Sequence, residues 1–348
     1  QIERYRKTRG EAAVEIRKVQ VTGGSSFVIT LPKEWAEKQK VKKNDPLGLV
    51  IQPDGTLLVT KEIAERPLQR EKRFDATNLD DQRFLFRLLI AAYITGYTSI
   101  VVSAKNRLSP PARVAVRDFS QMTIGPEVVE ETETSIVLKD LLNPAEMPLE
   151  NTLRRMYVVV RNMHADAMNV LGSGNGGLSA DVVARDNDVD RLHWLVARQT
   201  YMSLRDPGIA RRMEGDPSRV VKIYVMSRII ERIGDHAVRL AENAQKVPAG
   251  AVSDELLGAF RKADNLALSL FDRSIHSFFT ADIRGSHENI EKTRELVAAC
   301  REIEDRLISL PQDIAVALSD IAESIRRSGE YSGDISENVI NLLVEEAG

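Results

Sequence analysis

Apolar residues along this chain change their spacing twice. Between Glu15 and Lys61 they cluster or alternate in short runs: Val14, Ile16, Val19 and Val21 lead to Gly23–Gly24–Ser25–Ser26, after which Phe27, Val28, Ile29 and Leu31 follow. Such runs on either side of a glycine turn predict a hairpin. Pro32 suits the first turn of a helix through Trp35 to about residue 39, and Asn44–Asp45–Pro46 and Pro53–Asp54–Gly55 punctuate two further strands over 47–51 and 56–60. From Phe74 to Pro148 the periods mix: a helix over 79–96, a strand over 99–103, a helix over 111–122, and alternating strands over 127–138. Beyond Pro148 the pattern is helical. A first helix over 149–171 carries Leu153, Met156, Val160 and Met163 on one face and ends at the glycine-rich run 172–177. A second helix covers 180–204, and a third starts at Asp216–Pro217, an N-cap followed by a first-turn proline, and stops before Pro248.

The same three-helix layout recurs over 254–279, 283–310 and 311–344. Placing ERIGDHAVRLAENA from Glu231 over RRSGEYSGDISENV from Arg326 sets Gly234 on Gly329 and Glu242–Asn243 on Glu337–Asn338. This is an internal repeat of roughly 100 residues. A chain of 348 residues exceeds what one core usually supports. The expectation is a multidomain α+β protein with domains at 11–62, 74–142, 149–248 and 253–346. The charged stretch 65–71, with Pro67, reads as a linker.

Charge adds an asymmetry that the total of −3 conceals, because residues 1–73 carry a surplus of six positive charges and the remainder is correspondingly acidic. A basic end suits nucleic acid and an acidic body suits metal ions or a basic partner, although Lys38, Lys40, Lys42 and Lys43 also serve solubility alone. The single cysteine, Cys300, allows neither a disulfide framework nor a cysteine-based zinc site. Residues 1–10 are polar and basic, unlike a secretory signal, and the most apolar helical stretch, 85–97, is interrupted by Arg87 and Gly96. These features predict a cytoplasmic protein without membrane insertion.

A segment of fewer than about 50 residues rarely builds a stable core alone, so the N-terminal module should need a second copy of itself. RKVQVTGGSSFVITLPKEWAEKQKVKKNDPLGLVIQPDGTLLV resembles the swapped-hairpin AbrB/SpoVT family in its basic strand, polar turn, ITLPKEW and PDGTLLV. The resemblance implies a homodimer in which two chains complete one small β-barrel and present a basic face to DNA. Arg17, Lys18, Gln20, Thr22, Ser25, Ser26 and Lys33 fall on that face. Arginine and lysine neutralise phosphates, while Thr, Ser and Gln hydrogen-bond phosphate oxygens or base edges. Phe27 and Trp35 read as barrel core rather than base-stacking groups. The middle unit shows no phosphate-binding glycine pattern and reads as a spacer or a second dimer contact.

In the helical half, Asp186 and Asp190 lie four apart, as do Glu231 and Asp235, so each pair shares a helix face. Two carboxylates on adjacent turns repel and need solvent, a cation or a basic partner, for which Arg191 and Arg232 are at hand. ERIGDHAVRLAEN and the aspartate-rich second helix resemble the PhoU family of phosphate uptake regulators, built of two three-helix bundles with an E/DxxxD motif on two helices of each. The resemblance implies that Asp186, Asp190, Glu231 and Asp235 hold a divalent or ferric ion such as iron, zinc, nickel, manganese or magnesium, with His193 and His236 as further candidates. The second repeat departs from the motif, with Arg326 and Glu330 where the first has Glu231 and Asp235. No nucleophile elbow or HExxH signature is present, so catalysis is not expected. The combined expectation is a DNA-binding phosphate uptake regulator that senses phosphate through the transporter ATPase or a signalling protein. The alternative is an adaptor that inhibits a phosphate ABC transporter and uses its barrel only to dimerise.

Overall fold

The computed structural model describes residues 15–51, 55–61, 70–142, 146–206, 209–210, 213 and 216–347. The expected turn residues Pro53 and Asp54, and most of the 65–71 linker, lie outside the described residues. The chain divides into two units, Gln1–Arg66 and Pro67–Gly348.

In the first unit β1 (Gln20–Thr22) pairs antiparallel with β2 (Ser26–Val28), α1 (Lys33–Lys38) follows, and β3 (Gly48–Ile51) pairs antiparallel with β4 (Leu57–Thr60). Gly23 and Gly24 make the first turn at φ +64° and +83°, backbone that glycine adopts without a Cβ clash. Pro32 caps α1 from outside rather than occupying its first turn. Register sets Val21 opposite Phe27 and Thr22 opposite Ser26. Val21 and Phe27 therefore share one face of the hairpin, and Gln20, Thr22, Ser26 and Val28 share the other. The apolar face is open: Val21 is 63% exposed and Phe27 79%. Phe27, expected in a barrel core, has no core to enter within one chain, and Trp35 is only half-buried. The described residues form two separate hairpins, and a lone two-stranded hairpin is marginal in water.

The second unit opens with a four-stranded sheet ordered β5–β6–β8–β7: β5 (Glu71–Asp75), β6 (Ser99–Ser103), β7 (Pro126–Glu131) and β8 (Ser135–Asp140). β5 and β6 run parallel through the crossover helix α2 (Gln82–Ile94), whereas β8 is antiparallel to both β6 and β7. β5 corrects the sequence reading, which gave its first residue to the linker and began the domain at 74. Its sequence, Glu-Lys-Arg-Phe-Asp, is that of an edge strand whose outer face stays in water. Leu85, Leu89 and Tyr93 of α2 and Ala112, Val116 and Phe119 of α3 (Pro110–Met122) pack with Val102 and Leu138 of the sheet into a core of their own.

Among the described residues six long helices follow: α4 (Leu149–Val170), α5 (Gly176–Arg205), α6 (Pro217–Lys246), α7 (Asp254–Thr280), α8 (Ile283–Leu307) and α9 (Gln312–Glu346). α5 begins four residues earlier than its apolar period suggests, because the Asn175 side chain accepts a hydrogen bond from the Leu178 amide and starts the helix inside the glycine run. α6 begins where expected, with Asp216 accepting from the amides of Ser218 and Arg219. Each set of three helices packs together, and α6 also packs against α9. Both sets share one continuous apolar core, from Leu153 and Met156 through Leu240 to Phe260, Ile325 and Val339. Among the described residues no helix is long and apolar enough to cross a membrane.

The middle domain is more than a spacer. Arg198 of α5, 2% exposed, donates to the carbonyl oxygens of Tyr93 and Tyr97 and, at 2.5 Å, to Asp140 Oδ2 at the end of β8. A buried guanidinium with three acceptors fixes the sheet domain to the first bundle, since removing any acceptor strands desolvated charge.

Candidate functional site

Asp186 and Asp190 stand one turn apart on α5, and Glu231 and Asp235 one turn apart on α6, the neighbouring helix. Gly234 lies where these helices meet: a Cβ built there would sit 3.5 Å from Asp186 Oδ1 and 3.6 Å from Val189 Cγ1. The spacing puts each pair on one helix face, and the packing of α5 on α6 brings the two pairs together. Burial pushes Asp190 up to about 7, reinforced by the negative charges of Asp186, Glu231 and Asp235. Asp186 is pushed up to about 6 by burial and then by Asp235. Glu231 and Asp235 are raised as well, chiefly by burial.

Of the two cations expected, Arg232 acts on Glu231 and Asp235 through its charge alone, joined by Arg228 and Arg239. Arg228, one turn before Glu231, reaches its Oε1 at 3.3 Å, whereas Arg191 turns to Asp188 at 3.7 Å and Arg232 leans on the ring of Tyr331 in α9. The Arg228–Glu231 spacing of three was the available clue. Asp186 Oδ1 and Glu231 Oε2 remain buried without a hydrogen-bond partner. Hard, unsatisfied carboxylate oxygens are the donor chemistry of a divalent or ferric ion. Among the described residues, however, no three acidic, histidine or cysteine side chains stand close enough to hold a metal as they are placed. The donor set fits a cation, and closing a shell on one takes side-chain rotation.

Neither histidine joins the carboxylates. His193 Nδ1 lies 3.0 Å from Ser227 Oγ and its ring stacks on Tyr224, while His236 packs on Tyr331 of the second bundle. Burial lowers both to about 4, so both rings are neutral at pH 7. At the equivalent place in the second repeat, Arg326 is ion-paired with both Glu323 and Glu330. A guanidinium thus replaces the first acid of the motif there, whereas the first repeat keeps Glu231 and meets it with Arg228 from one turn away.

One constellation escaped sequence reading. His164 of α4 lies between Asp264 of α7, with Nδ1 to Oδ1 at 2.9 Å, and Ser328 of α9, with Nε2 to Oγ at 3.0 Å. The Asp–His–Ser order is that of a hydrolase triad. Ser328 is 1% exposed and its hydroxyl donates to the Ser324 carbonyl, so no substrate reaches it and its proton is committed along its own helix. The trio is a polar junction between bundles, and no local pattern joins residues so far apart in sequence.

The seven residues assigned to the N-terminal basic face are all exposed. The first hairpin gathers Gln20, Thr22 and Ser26 on one face, with Ser25 in its turn. Lys18 precedes β1 and Lys33 opens α1, where it lies 3.8 Å from Glu37. Arg17 is paired with Glu15, which offsets its charge.

Comparison with known proteins follows this division of the molecule. Residues 153–244, from α4 to the end of α6, match the family described as the PhoU domain and include all four carboxylates. Residues 20–67 match the family described as antidote-toxin recognition MazE, bacterial antitoxin. The chain is 28% identical over 204 residues, 55% of its own length and 80% of the relative's, to the phosphate-specific transport system accessory protein PhoU homolog of Pseudomonas aeruginosa. Among solved structures, the phosphate transport system regulatory protein PhoU of Streptococcus pneumoniae aligns at TM-score 0.48 and 16% identity, covering 56% of this chain and 92% of that one. PhoU of Pseudomonas aeruginosa aligns at 0.49 and 18%, covering 57% and 96%. The chain thus matches the PhoU domain over residues 153–244 of its helical half and the MazE antitoxin family over residues 20–67.

Proposed function

We propose that this protein regulates phosphate uptake as a DNA-binding homodimer, with the carboxylate face between α5 and α6 taking up a cation and the bundles receiving the phosphate signal through a protein partner such as the transporter ATPase. The observation that carries this reading is the joining in one chain of a PhoU match over 153–244 to a MazE match over 20–67. The relative named for phosphate-specific transport supports the regulated process. The polar face of Gln20, Thr22 and Ser26, backed by exposed Val21 and Phe27, supports a hairpin that dimerises on one side and meets DNA on the other. Asp186, Asp190, Glu231 and Asp235 would hold the cation, which supplies charge neutralisation, and the reading has the protein non-enzymatic. For regulation, partner or cation must prefer one arrangement of the molecule over another, since equal affinity for both shifts nothing.

The test is recovery of genomic DNA bound to the full chain from phosphate-replete and phosphate-limited cells, alongside R17A/K18A. Enriched sites, and an affinity whose salt dependence flattens in the variant, support the reading. The absence of enriched sites under both conditions favours the adaptor that uses its hairpins only to dimerise. The Arg17–Glu15 pair is the observation on that side, because it withdraws one cation from the face.

A further inference from the structure

Away from the carboxylates, α5 forms one wall of a groove of about 740 Å³ whose other walls are α2 and α3 of the middle domain. That volume lies in the range of small-molecule sites, which favour domain junctions. Its apolar wall is the half-buried indole of Trp194 with Phe86 set edge-on at 6.2 Å. Arg83 and Arg87, one turn apart on α2, stand in the same groove, exposed, and neither has an ion-pair or hydrogen-bond partner among the described residues. Arg161, Arg185, Arg198 and Arg219, by contrast, are each ion-paired. Among the described residues the one acid lining the groove, Asp118, accepts from the Gln82 amide at 2.8 Å and forms no ion pair with either guanidinium, so the groove keeps a surplus of one positive charge.

Two free guanidinium forks at i,i+4 spacing match the oxygens of a phosphate. A flat indole face suits a planar ring. Gln121 and Asn187 also line the groove; Asn187 gives one amide hydrogen to the Ala184 carbonyl at 3.3 Å, which leaves its oxygen as an acceptor beside the Gln121 carboxamide for the edge of a base. We propose that this groove binds a nucleoside monophosphate, with its base on Trp194 and its phosphate on Arg83 and Arg87. The site is distinct from the carboxylate face, although α5 serves both: Asp186 and Asp190 face α6, while Asn187 and Trp194, seven apart, face the middle domain. The inference stands or falls independently of the regulatory reading above.

The experiment is a calorimetric titration of the full chain with AMP, GMP, CMP and UMP, with adenosine and pyrophosphate as part-ligands, followed in parallel by indole emission. Saturable heat with at least one nucleotide, a change in indole emission that Trp194→Phe removes, and affinity at least about tenfold weaker in R83A/R87A are expected. Both arginines are exposed, so their replacement leaves the fold intact, which equal thermal unfolding of the variant verifies. No saturable heat with any of the four nucleotides overturns the proposal. So does an affinity unchanged in R83A/R87A, or pyrophosphate binding as tightly as the best nucleotide, which would leave a bare anion site.

Discussion

Asp190 is driven toward its neutral form from two sides, by loss of water and by three carboxylates around it. With native values of about 7 for Asp190 and about 6 for Asp186, against about 3.9 for an unfolded aspartate, the folded protein holds more protons than the unfolded chain between those limits. Their contribution to stability is full below pH 4 and is lost as pH rises through 6 and 7. His193 and His236 act in the opposite sense: lowered to about 4, they contribute stability above pH 6.5 that is lost as pH falls. At pH 6.5 an unfolded histidine is still half protonated, so up to about pH 7.5 the two histidines add stability about as fast as the two aspartates lose it. Comparing the parent with Asp190→Asn cancels the histidines: in chelator the variant's urea midpoint should gain on the parent's as pH rises from about 5.5 to about 8, and added manganese or magnesium should raise the parent's midpoint at about pH 8. A difference between the two that stays flat with pH would show that Asp190 is not held toward its neutral form.

At the scale of helices, the repeat hides a difference in packing that alignment alone equates. Gly234 and Gly329 occupy matching positions, yet a Cβ at Gly234 would meet Val160 at an ordinary 3.4 Å, whereas one at Gly329 would drive into Leu296 Cδ2 at 2.0 Å. Close helix approach therefore demands glycine at 329 and tolerates alanine at 234. Gly329→Ala should cost about 1–3 kcal/mol through overpacking, and Gly234→Ala should be neutral or stabilise by up to about 1 kcal/mol, both read from urea unfolding. Much of this level was legible in the sequence, because local chemistry sets helix starts: Asp216–Pro217 marks α6 with its own side-chain cap. Where reading failed, the local signal pointed elsewhere. Glu71 to Asp75 has one apolar residue, Phe74, and looks like a linker until β6 is seen beside it. Gly176 and Gly177 look like loop, but the first turn of a helix has no intrahelical amide bonds to lose, and Asn175 supplies the cap. The acidic pairs were visible because i,i+4 spacing is itself geometric, whereas Arg198 and the His164 junction join residues that no window along the chain brings together.

At the scale of the whole molecule, the proposed homodimer would close over the first hairpin's open apolar face, Val21 and Phe27. Placing charge there in the full chain, as V21D/F27D, should convert a dimer to a monomer by sedimentation while the far-ultraviolet helical signal stays unchanged; an unaltered mass would move the interface elsewhere. The helical body is assembled by different means. Along α9 run Ser324, Ser328, Ser332 and Ser336, and each hydroxyl donates to the carbonyl one turn behind it. Two of them are also read from outside, Ser328 by His164 and Ser336 by Asn289. Ser328→Ala should therefore cost about 1–2 kcal/mol by stranding His164 Nε2, and Ser332→Ala should fall within about 0.5 kcal/mol of the parent. A row of small hydroxyls that mostly answer to their own backbone gives α9 a smooth, chemically quiet flank. Only the His164 contact crosses between the bundles, since Asn289 lies on α8 beside α9; along that flank the polar alignment of the two halves is decided at a single address, and a shift there would be felt by both bundles together.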